Sequence, residues 1–260
     1  MISSNLFDLP VYFILVITFS LIIFFCWLGY RFKISQLKKY PGEVIKERKI
    51  QGTALTLLSL LMGFTFSVAI SKFETQRRLI AQEAAYINTA ILRCDMYPDS
   101  IRNPLRADFK EYIEARIEYY DEINKDKIEQ ELLKKAGTIS DRMWKRVILQ
   151  FQQSENILRS GQMIPALNNM IEIVIMRDAE KSSKVPFLVL WVLLTLMLIE
   201  AFVIGTDLYG RNRAKLVVIT YAIVMSITLN LIIELHQPRT GLINLDSVEQ
   251  KIVDLRELVK

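Results

Sequence analysis

Four stretches of the chain are almost entirely apolar, and the polar residues lie between them. Each stretch has about the length that an α-helix needs to cross ~30 Å of hydrocarbon; they cover residues 9–30, 54–70, 185–209 and 214–235. The pattern predicts an all-α integral membrane protein with two transmembrane hairpins, 1–71 and 185–235. Between them, 72–184 predicts a large helical domain outside the membrane. Residues 236–260 predict a turn followed by an amphipathic helix.

The second apolar span continues into a charged helical segment without a glycine or proline between them. Within the span, four small residues recur at every fourth position, which places them on one face of a helix; they are Ser59, Gly63, Ser67 and Ser71. Small side chains in lipid allow two helices to approach closely. Two interpretations remain open. The stripe packs against another helix, or several copies place this helix around an axis where Leu60 and Phe64 form an apolar constriction.

Proline and glycine divide the segment 72–184 into predicted helices. Residues 96–98, which end in proline, predict the end of the helix that continues from the second span. Three further boundaries are predicted from the same signals, at residues 103–104, at Gly137 and at Gly161. The apolar residues of 31–40, which follow the first span, allow a short interfacial helix.

Charge is concentrated beside the membrane spans. The net charge of +5 comes mostly from residues 31–49, which hold seven basic and two acidic side chains. A nucleic-acid-binding domain would carry a basic face on a folded domain, so this class is not predicted. A basic segment next to an apolar span is typical of a juxtamembrane loop. The positive-inside rule weakly favours a cytoplasmic position for this loop.

The residues that most enzymes need are scarce. The chain has two cysteines and one histidine, His236, and it has neither a glycine-rich phosphate loop nor a nucleophile elbow. We therefore predict no enzyme, no cofactor and no metal site, and an enzyme acting on lipid is only a remote alternative.

Glu200 is the clearest ionisable residue inside a predicted span. Such a group costs roughly 2.5–3.5 kcal/mol in the membrane centre on insertion scales, so it calls for an explanation. It could line an ion path, relay protons, or make a polar contact that only fixes helix packing. Asn230 in the fourth span and Thr195 in the third are its candidate partners.

Three blocks of the chain resemble a known family, the bestrophin-like domain family of bacterial membrane proteins. The blocks are residues 60–98, 164–179 and 234–246. The first block contains a polar pattern similar to that of the family, formed by Glu83, Thr89 and Arg93. In the third block, Glu234 and His236 stand where the family often has acidic residues.

The family is in turn similar to bestrophins, which are pentameric anion channels. That resemblance implies a homo-oligomer, a pentamer, in the bacterial inner membrane, with chloride or another small ion as the permeant species. It also implies that Thr56, Leu60 and Phe64 face the axis, and that residues 72–184 lie in the cytoplasm, against the positive-inside prediction. The alternative is a non-conducting membrane protein whose helical insert binds a partner or senses envelope stress.

Overall fold

The computed structural model describes residues 11–39, 48–121, 126–182, 187–208, 214–236 and 243–259. These residues form eight α-helices and one 3-10 helix, with no strand among them, which confirms the all-α class. In chain order the helices are α1 (Val11–Lys39), α2 (Arg48–Cys94), α3 (Asp99–Asp121), α4 (Asp126–Phe151), α5 (Ile157–Ser182), α6 (Phe187–Asp207), α7 (Ala214–His236), α8 (Asp246–Asp254) and the 3-10 helix Leu255–Val259.

Four of the described helices, α1, α2, α6 and α7, are long and apolar enough to cross a membrane. This confirms the prediction of four spans. Helix α1 continues to Lys39 without interruption, so residues 31–39 are helical but belong to α1 and do not form a helix of their own. Lys38 and Lys39 occupy its last turn, where positive charge interacts favourably with the helix dipole.

Helix α2 is much longer than a membrane span. Its 47 residues correspond to about 70 Å at the α-helical rise, more than twice the ~30 Å of hydrocarbon. Four charged residues follow its apolar part closely: Lys72, Glu74, Arg77 and Arg78. Because charged side chains are costly in hydrocarbon, the spanning part of α2 ends near Ile70 and the remainder lies beyond it.

The chain divides into two compact units. The first, called here the membrane unit, consists of Met1–Phe73 and Lys184–Asn244. The second, called the helical unit, consists of Glu74–Ser183 and Leu245–Lys260.

The core of the membrane unit receives apolar residues from each of its four long helices. The buried set includes Ile14, Ile22, Cys26, Leu58, Met62, Leu193, Met197, Ala201, Leu229 and Ile232. Apart from Cys26 these side chains carry no hydrogen-bonding group, so the core holds together mainly by close packing.

The boundary between α2 and α3 is partly as predicted. Helix α2 ends just before the turn at residues 95–98, but α3 begins at Asp99 and the predicted start at residues 103–104 is wrong. The Pro98 carbonyl accepts the backbone N–H of Arg102 at 2.9 Å, as the first acceptor of the helix. Leu105, Phe109 and Ile113 on one face of α3 are fully buried, and this packing outweighs the hydrogen bond that Pro104 cannot make.

The predicted breaks at Gly137 and Gly161 are also wrong, because both glycines lie inside helices, α4 and α5. A glycine inside a helix costs roughly 0.5–1 kcal/mol relative to alanine. The stripe of buried side chains in α4 crosses Gly137 without a gap; it consists of Leu132, Ala136, Ile139, Met143 and Val147. Burial of this stripe outweighs the local cost, since packing of an apolar face supplies most helix stability in proteins.

Candidate functional site

Helix α2 has two different faces in the membrane unit. One face is buried and is formed by Leu58, Met62, Thr65 and Ala69. These positions follow the spacing i, i+4, i+7, i+11 expected of one side of a helix. On the other side, Leu60 and Phe64 leave 69% and 70% of their area exposed.

The small-residue stripe lies on this exposed side of α2. All four of its residues, Ser59, Gly63, Ser67 and Ser71, are exposed, and so is Thr56. A Cβ added to Gly63 would meet no other described atom within 4 Å. Gly63 therefore makes no close helix contact within the described part of the chain. The roles of the stripe in packing between copies or around an axis stay predictions.

The close helix contact in the membrane unit is found elsewhere, between α1 and α6. A Cβ added to Gly29 would lie 2.0 Å from the carbonyl oxygen of Phe202. A Cβ added to Gly205 would lie 2.1 Å from the carbonyl oxygen of Cys26. Both distances are far below van der Waals contact, so only glycine allows the two backbones to approach this closely.

Glu200 lies on α6 inside the membrane unit and is 2% exposed. No described residue donates a hydrogen bond to its Oε2 atom. The Tyr221 hydroxyl donates to the carbonyl oxygen of Met197 at 3.1 Å, which brings α7 against α6 one turn before Glu200. Glu200 is thus a buried carboxyl group with an unsatisfied oxygen, enclosed by the helices of its own unit.

The predicted partners of Glu200 make other contacts. The Asn230 amide donates to Glu234 Oε1 at 3.4 Å, one turn further along α7. Thr195 donates to the carbonyl oxygen of Trp191 at 2.8 Å, within α6. Asn230 and Glu234 are both buried, so α7 holds a buried polar pair in the membrane unit.

Glu83 is the centre of a polar cluster in the helical unit. Its Oε1 atom accepts the Arg116 Nε–H at 2.6 Å, and its Oε2 atom accepts the Arg116 Nη2–H at 3.2 Å. The Tyr120 hydroxyl donates to the same Oε2 at 3.1 Å, and Arg177 Nη1 donates to it as well. Because these residues come from α2, α3 and α5, the carboxylate joins three helices.

The cluster is almost completely shielded from solvent, with Glu83 0% and Arg116 1% exposed. Burial acts to raise the pKa of the Glu83 carboxyl, but the charges and hydrogen bonds of Arg116 and Arg177 outweigh it and hold that pKa below its ordinary value. The Arg116 guanidinium also lies 4.5 Å from the ring centroid of Tyr119, within cation–π range. Glu83 is therefore an ionised, fully buried carboxylate.

The other two residues of the polar pattern have more local contacts. Thr89 is exposed, and its hydroxyl donates to the carbonyl oxygen of Ala85 at 2.9 Å within α2. Arg93 is half-buried and donates from Nη1 to the carbonyl oxygen of Gln162, which links α2 to α5. In the described part of the chain, no group of three His, Cys, Asp or Glu side chains could hold a metal ion.

Two features of these sites were not identified from the sequence. The first is that Arg116 and Arg177 are the partners of Glu83. Burial of Arg116 could have been predicted, because Arg116 lies on the same face of α3 as the apolar residues Phe109 and Tyr112. The second concerns Gly205, which follows the buried Ala201 by four residues, the same small-residue spacing as in α2. Its partner is Gly29 on α1, and no pattern in the sequence links these two glycines.

The four apolar helices and their polar interior residues define a polytopic helical membrane protein. The family model of the bestrophin-like domain matches residues 52–248. The chain therefore belongs to the bestrophin-like family. No curated protein matches the chain.

Solved structures have the same fold. A crystal structure of a mutant bacterial bestrophin homologue from Klebsiella pneumoniae superposes with a TM-score of 0.71 at 12% sequence identity, over 94% of this chain and 99% of that chain. Another crystal structure of the bacterial homologue from Klebsiella pneumoniae, phased with zinc, has a TM-score of 0.69 at 13% identity, over 95% and 98% of the two chains. At this level of identity the similarity concerns the fold.

Proposed function

We propose that the protein is an oligomeric ion channel of the anion type in the bacterial inner membrane, in which several copies arrange α2 around a common axis. The chain belongs to the bestrophin-like family, and bestrophins are channels. The proposal assigns this function to the chain and gives a role to particular residues of α2. Chloride is the expected permeant ion, and a pentamer is the expected assembly. The helical unit would lie outside the bilayer.

The composition of the exposed face of α2 carries this proposal. The exposed sides of the other membrane helices are rich in large apolar residues, for example Phe13 on α1, Leu188 on α6 and Val224 on α7. Such side chains suit contact with lipid tails. The exposed face of α2 also carries large apolar residues, such as Leu57, Leu60 and Phe64, but it adds four small residues and Thr56 in the same stretch. This combination is typical of helix–helix contact or of a polar path.

Leu60 and Phe64 would act as the constriction of the pore. They are the most exposed large apolar side chains of α2 and lie one turn apart. Around an axis, rings of such side chains would exclude water until the pore widens. The hydroxyl group of Ser67 lies about one turn after Phe64 along α2, where it would donate a hydrogen bond to a dehydrating anion.

Cysteine cross-linking tests whether α2 meets α2 of another copy. Ser67→Cys places a thiol on the exposed stripe, and Ser20→Cys places the matched thiol on the exposed side of α1. We expect Ser67→Cys to form a covalent dimer on mild oxidation in membranes, and Ser20→Cys to remain uncoupled. Native mass spectrometry of the wild type should give five copies, whereas a monomer would contradict the proposal.

A second candidate function is a non-conducting protein whose helical unit binds a partner. The observation that favours it is exposed apolar surface in the helical unit, where Leu158 is 75% and Ile175 is 65% exposed. Isolated apolar residues on a surface are common, and a contiguous patch is needed to mark an interface. An oligomer without ion flux would favour this function over the channel.

A further inference from the structure

The helical unit contains a basic cavity that has no part in the proposed channel. Its volume is about 580 Å³, and it is lined by Asp95, Arg102, Asn103, Arg106, Ala107, Lys110 and Val259. Pockets for small molecules in proteins commonly measure about 300–1,000 Å³. The cavity therefore has the size of a ligand site.

Most of the cavity wall is one face of α3. Arg102, Arg106 and Lys110 are spaced four residues apart, so their side chains leave the helix in one row. Asn103 and Ala107 occupy the adjacent row. Three cations converge on one cavity, and an amide stands beside them.

Acidic neighbours neutralise this row only in part. Arg106 Nη2 pairs with Asp95 Oδ1 at 2.8 Å, and Arg102 Nη2 pairs with Asp99. Lys110 makes no salt bridge with another described residue. Both carboxylate oxygens of Glu114, one turn after Lys110, accept hydrogen bonds from Arg256, at 2.8 and 2.6 Å. The three cations Arg102, Arg106 and Lys110 exceed the two carboxylates Asp95 and Asp99 by one positive charge.

The two arginines of the row are partly open to a ligand. The side chain of Arg102 is 34% exposed and that of Arg106 is 33% exposed, although each makes an ion pair. A guanidinium presents its N–H groups in a planar fork, and phosphate oxygens match this arrangement well.

We propose that this cavity binds a compound with a phosphate group, held by Arg102, Arg106 and Lys110. The cavity is larger than inorganic phosphate, and none of the described residues in its wall is an aromatic residue that could stack a base. A multiply charged phosphate ester or oligophosphate fits both observations. The phosphate could belong to a soluble compound or to the headgroup of a lipid.

Titration calorimetry on the purified full-length chain at low ionic strength tests the proposal. The probes are tripolyphosphate, for a soluble phosphate, and dihexanoyl phosphatidate, for a lipid phosphate. We expect saturable binding of at least one probe, and the stronger of the two identifies the source. The affinity should fall steeply with added salt, because the contacts are ionic.

The matched variants are a triple substitution, Arg102→Gln with Arg106→Gln and Lys110→Gln, and the control Lys145→Gln on the exposed side of α4. The triple variant should bind at least about tenfold more weakly, since it loses three positive charges and their hydrogen bonds to the phosphate. The control should keep the wild-type affinity. Thermal melting without ligand checks that the triple variant is folded.

The proposal is overturned if neither probe binds the wild type at millimolar concentration, or if the folded triple variant binds as well as the wild type.

Discussion

Glu200 of the membrane unit and Glu83 of the helical unit are both almost completely buried, yet their surroundings differ. Glu83 accepts hydrogen bonds from two guanidinium groups and a phenol. Glu200 has an oxygen that no described donor reaches. The helical unit therefore uses a buried charge to join three helices. The membrane unit holds its helices by close packing, seen at Gly29 and Gly205. It contains the Glu200 carboxyl group with no described donor at its Oε2 atom.

This difference has a physical basis in how each unit gains stability. Two helices in lipid gain little from the hydrophobic effect and depend on close packing, so glycine contacts matter most there. In the helical unit, a carboxylate buried with its counter-charges locks the geometry, but it becomes costly once a partner is removed. We therefore expect neutralisation of Glu200 to reduce stability less than neutralisation of Glu83.

The largest expected effect is that of Glu83→Gln. Neutralising this carboxylate leaves Arg116 and Arg177 buried without a counter-charge, and we expect a loss of about 3–5 kcal/mol in unfolding free energy. Denaturation monitored by Trp144 fluorescence in the helical unit measures it. The matched control is Glu118→Gln, which removes an exposed pair with Lys135 and should cost less than about 1 kcal/mol. Equal effects of the two substitutions would contradict the assigned role of the cluster.

Acid should weaken the helical unit through the same carboxylate. Because the pKa of Glu83 is below its ordinary value in the folded chain, its contribution to stability is complete above the unfolded pKa of about 4.3 and is lost as the pH falls through the folded value. Melting curves from about pH 6 down to about pH 3 measure the loss. Glu83→Gln should flatten this dependence, and an unchanged slope would exclude Glu83 as its source.

The close contact of α1 and α6 predicts that the same substitution has opposite effects in the two units. Gly205→Ala places a methyl group against the Cys26 carbonyl and should cost about 1–3 kcal/mol. Gly137→Ala in α4 meets no described atom and should gain about 0.5–1 kcal/mol from helix propensity. Thermal melting of both variants in the same detergent compares them. A gain from Gly205→Ala would show that the backbones are further apart.

The smallest effect is expected for Glu200→Gln. The amide has nearly the same shape, and Glu200 has no charged hydrogen-bond partner among the described residues, so stability should change by less than about 1 kcal/mol. Thermal melting beside Glu83→Gln measures the contrast. A loss as large as that of Glu83→Gln would reveal a cation or ion held by Glu200.

The sequence predicts the membrane class and the four spans because lipid requires long apolar helices, and such stretches are visible without any tertiary information. It predicts helix ends less well. Pro104, Gly137 and Gly161 are all tolerated inside helices because the buried faces of α3, α4 and α5 outweigh local preference.

Contacts between distant residues are the part of the site that the sequence does not determine. Glu83 stands out as a charged residue on the apolar side of its helix, but nothing near it in the chain identifies Arg177 as a partner. Small residues at four-residue spacing predict close approach but not the partner helix. Gly205 has its partner on α1, whereas an added Cβ at Gly63 would meet no atom of the described chain within 4 Å.

Chloride flux from liposomes that contain the purified protein tests the central claim that α2 lines a pore. The variant is Phe64→Ala in the proposed constriction, and the matched control is Phe13→Ala, which removes an exposed phenylalanine of α1. We predict flux through the wild type, faster flux through Phe64→Ala because the apolar constriction widens, and wild-type flux through Phe13→Ala. An intact oligomer that passes no chloride in any of the three forms would contradict the account.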